Sequence, residues 1–375
     1  MHRDELKPAT TSCKLVAMFL SGIFPALTTP FYPDGRVYYK KLEHNVDRYS
    51  RTPAAGMVVL GSTGEAVMLS EEEQRDILRI AIEVAAQEKV LVAGVGHESA
   101  VQTLSFAEYA ATLGYDVVLV RTPHYYRGQM KPENELAFYR FVADRSPLPV
   151  LLYSVPPFTA YDLPVEVAAE LGEHPNILGI KESSGNIEKI QELARRTSHI
   201  KRTVNVTEIF NAVTGRMLAS GKQPQSAEAV VPLAALAGAS RGTSGSAVVT
   251  DTPGKPKFKM RTKDVSYQIL AGAAQRLEPS LQAGAVGAVV AFGAAAPTAC
   301  FEVYTAWKEG DHALAKEKQE RIIAAAKRMA ELGIPALKYA MDLNGYYGGP
   351  ARLPFLPLTA DLRSEVEELM KDIRN

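Results

Sequence analysis

Lys181 is the residue of this chain best placed to form a covalent bond with a substrate. It directly follows the apolar run Ile177-Leu178-Gly179-Ile180, so its Cα belongs to a buried strand and its side chain enters the space beyond the strand's end. Burial strips an ammonium of hydration and favours the neutral amine, which attacks a ketone. The resulting iminium is an electron sink for breaking a nearby carbon–carbon bond. A structural reading competes: a long lysine that pairs with a carboxylate such as Glu182. Position alone leaves both open.

Other strand ends add polar groups. Tyr153 closes the run 150–153 and can carry protons between a carbinolamine and a substrate hydroxyl, or pack as an ordinary core phenol. Gly61-Ser62-Thr63-Gly64-Glu65 follows the run 56–60. Its amides and the hydroxyls of Ser62 and Thr63 can hold a carboxylate, although a plain turn uses the same residues. Thr122-Pro123-His124-Tyr125-Tyr126 follows the fourth run, with Tyr125 open to aromatic packing or to a proton relay. His97 and His124 near this rim read as exposed loop residues. An amine, a phenol and a carboxylate cradle on three strand ends describe a site for a 2-oxo acid.

These positions depend on the elements beneath them. Apolar, β-branched runs at 24–29, 56–60, 90–94, 116–120, 150–153, 177–180, 267–271 and 287–291 predict eight strands. Helical periodicity lies between them at 70–87, 100–113, 132–143, 164–171 and 186–195, the first opened by a Ser70/Glu73 capping box. Repeated strand–helix units imply parallel strands with right-handed crossovers, and eight of them fit a closed (β/α)8 TIM barrel, an α/β fold. The expected organisation is an N-terminal tail over 1–22, a barrel over 23–306 and a C-terminal helical region over 307–375 with helices at 313–332 and 362–372. A stretch over 199–265, just before strand seven, is too long for a connection and reads as a largely flexible insertion. Its basic cluster, Lys255, Lys257, Lys259, Arg261 and Lys263, reads as a solvated patch.

Composition narrows the function classes. Lys plus Arg and Asp plus Glu number 42 each, so no general attraction to nucleic acid or anionic membrane is expected. Two cysteines, Cys13 and Cys300, and seven scattered histidines give neither a disulfide framework nor a metal-ligand spacing. No metal and no cofactor are expected. The early acids Asp4 and Glu5 disfavour a mitochondrial leader, which leaves the cytoplasm as the default.

Taken together, these residues resemble the dihydrodipicolinate synthase/N-acetylneuraminate lyase family of Schiff-base barrels. Gly61–Glu65 as GSTGE, Tyr-x-Val-Pro at 153–156 and GIKESSG at 179–185 match its motifs in order and spacing. The resemblance covers roughly 23–198 and 266–356. It implies Lys181 as the Schiff-base lysine, Tyr153 as proton donor and acceptor, and Ser62 and Thr63 as carboxylate binders. It also implies Tyr125 lent to the relay of a neighbouring subunit, hence a homo-oligomer, dimer or tetramer. Within the family the closest likeness is to the 4-hydroxy-2-oxoglutarate aldolase branch, through TPHYYRGQM at 122–130, LAGAAQ at 270–275 and GYYGGPARLP at 345–354. Ser183 and Gly272 then fall on substrate-contacting positions, and the implied partners are pyruvate and an aldehyde, glyoxylate. The synthase branch carries an arginine shortly after Tyr-x-Val-Pro to grip the aldehyde's carboxylate, whereas this chain has Pro157-Phe158-Thr159. Synthase and 2-keto-3-deoxy sugar-acid aldolase or dehydratase remain as alternatives. A 2-oxo-acid sensor, or a relative inactivated by its insertion, is the reading from another class.

Overall fold

The computed structural model describes residues 17–209, 211–220 and 259–373. Ten strands are named in chain order: β1 (Gly22–Pro25), β2 (Gly56–Val59), β3 (Val90–Gly94), β4 (Val117–Arg121), β5 (Val150–Ser154), β6 (Ile177–Glu182), β7 (Arg202–Thr207), β8 (Met260–Val265), β9 (Gln268–Ala271) and β10 (Gly287–Val290). Eight of them form one parallel sheet in the order β1-β10-β9-β6-β5-β4-β3-β2. A bridge between Ala26 and Val58, with the Leu27 amide donating to the Val58 carbonyl at 2.9 Å, brings β1 back to β2. This is the expected TIM barrel with additional C-terminal helices.

Both faces of each barrel strand are buried, so the strands read as unbroken apolar runs. Val117 and Leu119 face the barrel interior beside Leu151, Tyr153 and Leu178. Val118 and Val120 face the surrounding helices. The helix Glu71–Val84 starts at the Ser70/Glu73 capping box and buries Ile77, Leu78, Ile80 and Ala81. The C-terminal helices, Pro297–Lys308, His312–Leu332, Ile334–Leu343 and Ala360–Met370, begin before the boundary expected at 307. The first strand also begins and ends earlier than expected, releasing residues 26–29 as a loop toward β2.

The 199–265 stretch, expected as a flexible loop, contributes ordered structure at both flanks. β7 and β8 pair antiparallel from Arg202–Val265 to Thr207–Met260, outside the barrel sheet. Val204 and Val206 pack on Phe19, and Arg216 reaches Asp116, at the foot of β4, at 3.6 Å. The ribbon therefore sits across the end of the barrel where strands begin, and β9 keeps its place between β6 and β10. Residues 17–21, assigned from sequence to the tail, join this floor: Leu20 is fully buried and its amide donates to Gln268 Oε1 at 2.6 Å. Lys255, Lys257, Cys13 and the middle of the insertion lie outside the described residues. Cys300 is buried and, among the described residues, free.

One buried acid sets a pH dependence. Glu135, on the helix Pro132–Arg145, is fully buried, and among the described residues neither carboxylate oxygen has a hydrogen-bond partner. Burial, reinforced by Glu98, pushes its carboxyl up from 4.5 to about 7. The folded state therefore holds this proton more tightly than the unfolded chain. The stability gained is full below pH ~4.5 and is lost as pH rises through ~7, a loss on the order of 3 kcal/mol. Glu135→Gln removes the titration, so the variant is expected to melt several degrees above wild type at pH 8 and near it at pH 5. An equal difference at both pH values contradicts this.

Candidate active site

The mouth of the barrel places three side chains on one rung. Arg121 on β4 pairs with Tyr153 on β5, and Tyr153 pairs with Lys181 on β6. Tyr153 and Lys181 are each only 4% exposed. Lys181 Nζ lies 4.0 Å from the centre of the Tyr153 ring, and the Tyr153 hydroxyl is 3.3 Å from Ser62 Oγ. Amine, phenol and hydroxyl thus form a continuous line across β6, β5 and the turn after β2.

Strand alternation disposes of the structural reading of Lys181. Glu182, the next residue, leaves the other face of β6 and pairs with Lys189 at 2.7 Å. Glu182 also accepts the Ser184 amide at 2.6 Å, and Lys189 is further tied to Asp162. Among the described residues no carboxylate pairs with Lys181.

The Gly61–Glu65 turn is built and clamped from behind. Leu60 and Glu65, at φ 61° and 54°, are non-glycine residues in the left-handed region, and they bracket a 3-10 turn at Ser62–Gly64. Each such residue costs about 1–3 kcal/mol and persists only where its surroundings hold it. Glu65 is held by the fully buried Lys338 at 2.6 Å and accepts the Arg352 amide at 2.8 Å. Lys338 donates to the carbonyls of Thr29 and Pro350 at 2.8 and 2.9 Å, and the Thr29 hydroxyl donates to the Gly64 carbonyl at 2.6 Å. Burial draws the Lys338 ammonium below the usual lysine value, against the pull of Glu65. The C-terminal GYYGGPARLP segment thereby anchors the turn that carries Ser62 and Thr63, and Thr63 is itself buried.

Ser183 and Gly272 meet on the opposite wall. The Gly272 amide donates to the Glu182 carbonyl at 2.7 Å, and a Cβ added to Gly272 would lie 1.8 Å from Ser183 Oγ. Only glycine fits. Ser183 Oγ is buried and has no hydrogen-bond partner among the described residues, so its hydroxyl is unengaged. Tyr125 is not brought to this cluster within one chain: it is 74% exposed, with its ring edge-on to Tyr126 at 5.0 Å.

A cavity of about 410 Å³ opens beside Ser62 and Tyr153. Its outer wall carries His97, Glu98, Arg121 and His124, none of which the sequence alone places in the site. Counting by twos from Val117 does point Arg121 inward, a signal present in the sequence. Burial works to raise the Glu98 carboxyl, but the Tyr125 and His124 amides and Arg121 outweigh it and hold it below the ordinary value. Burial, then Arg121, lowers both His97 and His124, so both are neutral at pH 7. Among the described residues no His, Cys, Asp and Glu cluster could hold a metal ion, and no helix is long and apolar enough to cross a membrane.

Family membership makes the chain a (β/α)8-barrel lyase of the pyruvate-dependent, Schiff-base-forming type. The chain belongs to the dihydrodipicolinate synthetase family, whose model matches residues 19–206 and 250–373, leaving out the middle of the insertion. A 4-hydroxy-tetrahydrodipicolinate synthase of Methanothrix thermoacetophila is 26% identical over 350 residues, 93% of this chain and 95% of the relative. One of Xanthomonas campestris is 40% identical over 181 residues, 48% of this chain and 59% of that protein. Among solved structures, dihydrodipicolinate synthase from Bacillus anthracis superposes with a TM-score of 0.72 at 20% identity, covering 95% of this chain and 99% of that one. An E. coli prophage protein of the same family, solved in complex with pyruvate, gives 0.71 at 22% identity, covering 94% of this chain and 98% of its own. These likenesses carry the fold.

Proposed function

We propose that this enzyme reversibly cleaves the C3–C4 bond of a 4-hydroxy-2-oxo acid through an imine on Lys181. The favoured substrate is 4-hydroxy-2-oxoglutarate, giving pyruvate and glyoxylate. The observation that carries the reading is the line from Lys181 through Tyr153 to Ser62. The substrate's 1-carboxylate docks on the Ser62–Thr63 turn. The Lys181 amine adds to C2, and loss of water gives the iminium. Tyr153 takes the 4-hydroxyl proton as its own proton passes toward Ser62. The C3–C4 pair flows into the iminium, the aldehyde leaves, and the enamine is protonated at C3. Water then releases pyruvate and restores the amine. In this reading Tyr125 extends the relay into a neighbouring copy of a dimer or tetramer, and its exposure at the rim supports that role.

The second reading is the synthase reaction for which the relatives are named. Against it stands the 157–159 stretch, which offers Pro157, an exposed Phe158 and Thr159 where that branch has its arginine. Pyruvate release from 4-hydroxy-2-oxoglutarate by the purified full chain tests the choice. Turnover is expected. Pyruvate consumption only with the synthase's aldehyde supports the second reading, and inactivity of folded protein toward both removes the proposal.

A further inference from the structure

We infer that Arg121 is a specificity-determining residue that receives a carboxylate on the aldehyde half of the substrate. The inference deepens the proposed aldolase reading and rests on it. Arg121 stands on the rung of Tyr153 and Lys181, two strands from the amine. At the usual strand spacing this is roughly 10 Å along the wall, a span suited to a five-carbon diacid attached at C2 plus a hydrogen bond. Among the described residues Arg121 is the only Lys or Arg lining the cavity. Its stem passes over Gly96, where an added Cβ would come 2.8 Å from Arg121 Cγ, so the glycine makes room for this course.

The guanidinium is held on one side and open on the other. Nη1 is bound to Glu98 Oε1 at 3.0 Å and lies 3.1 Å from His124 Nδ1, which is itself 2.5 Å from the same Glu98 oxygen. Glu98 is in turn fixed by the His124 and Tyr125 amides, each at 2.9 Å. Among the described residues Nε and Nη2 have no hydrogen-bond acceptor, yet the side chain is only 15% exposed. A fork anchored through one nitrogen, with its other donors unengaged among the described residues and the residue lining a cavity, matches a carboxylate in shape and charge. Glu98 offsets the charge but leaves those donors. The cation that the 157–159 stretch lacks is thus supplied from β4.

The test runs the reaction toward condensation, with saturating pyruvate and either glyoxylate or uncharged glyceraldehyde as acceptor. Wild type is expected to prefer glyoxylate. Arg121→Gln should lower kcat/KM for glyoxylate by about 30- to 100-fold, chiefly through KM, and leave glyceraldehyde within a few-fold. Borohydride trapping of pyruvate by the variant should match wild type, which separates a specificity role from lost folding. Unchanged discrimination in Arg121→Gln overturns the inference. So does a wild-type preference for glyceraldehyde, a measurement that needs no variant. Failure of wild type to trap pyruvate would instead sink the Schiff-base reading beneath it.

Discussion

Tyr153→Phe is expected to lower turnover of 4-hydroxy-2-oxoglutarate by ~10²–10⁴-fold, the usual worth of a positioned proton-transfer group. The substitution removes one oxygen and keeps the ring against which Lys181 Nζ lies at 4.0 Å. The buried packing of the ring is therefore preserved, and imine formation with pyruvate, a slower but still available step, should remain detectable by trapping. What the variant loses is the 3.3 Å contact to Ser62 and the oxygen proposed to accept the 4-hydroxyl proton. The effect should fall on kcat more than on KM, because the proposed ground-state carboxylate contacts lie on the Ser62–Thr63 turn. Near-wild-type turnover would remove Tyr153 from the mechanism.

Lys181→Ala carries the larger expected effect, a fall on the order of 10⁴-fold or more, since the site then has no electron sink. Arg121 cannot substitute, because a guanidinium is not a nucleophilic amine at neutral pH. Lys338 and Lys189 cannot either: both are buried behind the site and bound to Glu65 and Glu182. No ion pair to Lys181 is broken by the change among the described residues, so the fold should survive it. Steady-state rates and melting temperature of the variant check both halves: activity lost, transition kept. Retained turnover would show that the chemistry runs elsewhere.

Much of this is legible in the amino-acid sequence alone, and the reasons differ by residue. The barrel strands are short apolar runs whose period and spacing admit few topologies. Lys181 stands out because a charged residue at the end of such a run has only the barrel mouth to enter. Its alternative partner, Glu182, is excluded by the same pleat that places it on the opposite face, a conclusion that needs the observed register at Tyr153–Lys181. Arg121 escapes notice because the apolar run of the fourth strand stops at Val120, and β4 runs one residue further. The ribbon of β7 and β8 is hidden for a different reason. Thr203, Val204, Asn205 and Val206 alternate as a strand should, but their partners Asp264, Lys263, Thr262 and Arg261 lie some sixty residues away, across a stretch whose composition suggests a loop. Non-local pairing leaves little trace in a local window. The clamp of Lys338 on Glu65 is likewise a long-range contact: Glu65 ends the GSTGE motif, but Lys338 lies in none of the motifs read from the sequence.

The most direct measurement is reduction of the full chain with borohydride in the presence of pyruvate, followed by intact mass and peptide mapping. One reduced three-carbon acid per chain, located on Lys181 and absent from Lys181→Ala, is the expected result. Folded protein that gains no adduct, or carries it on another lysine, contradicts the claim that this amine holds the substrate.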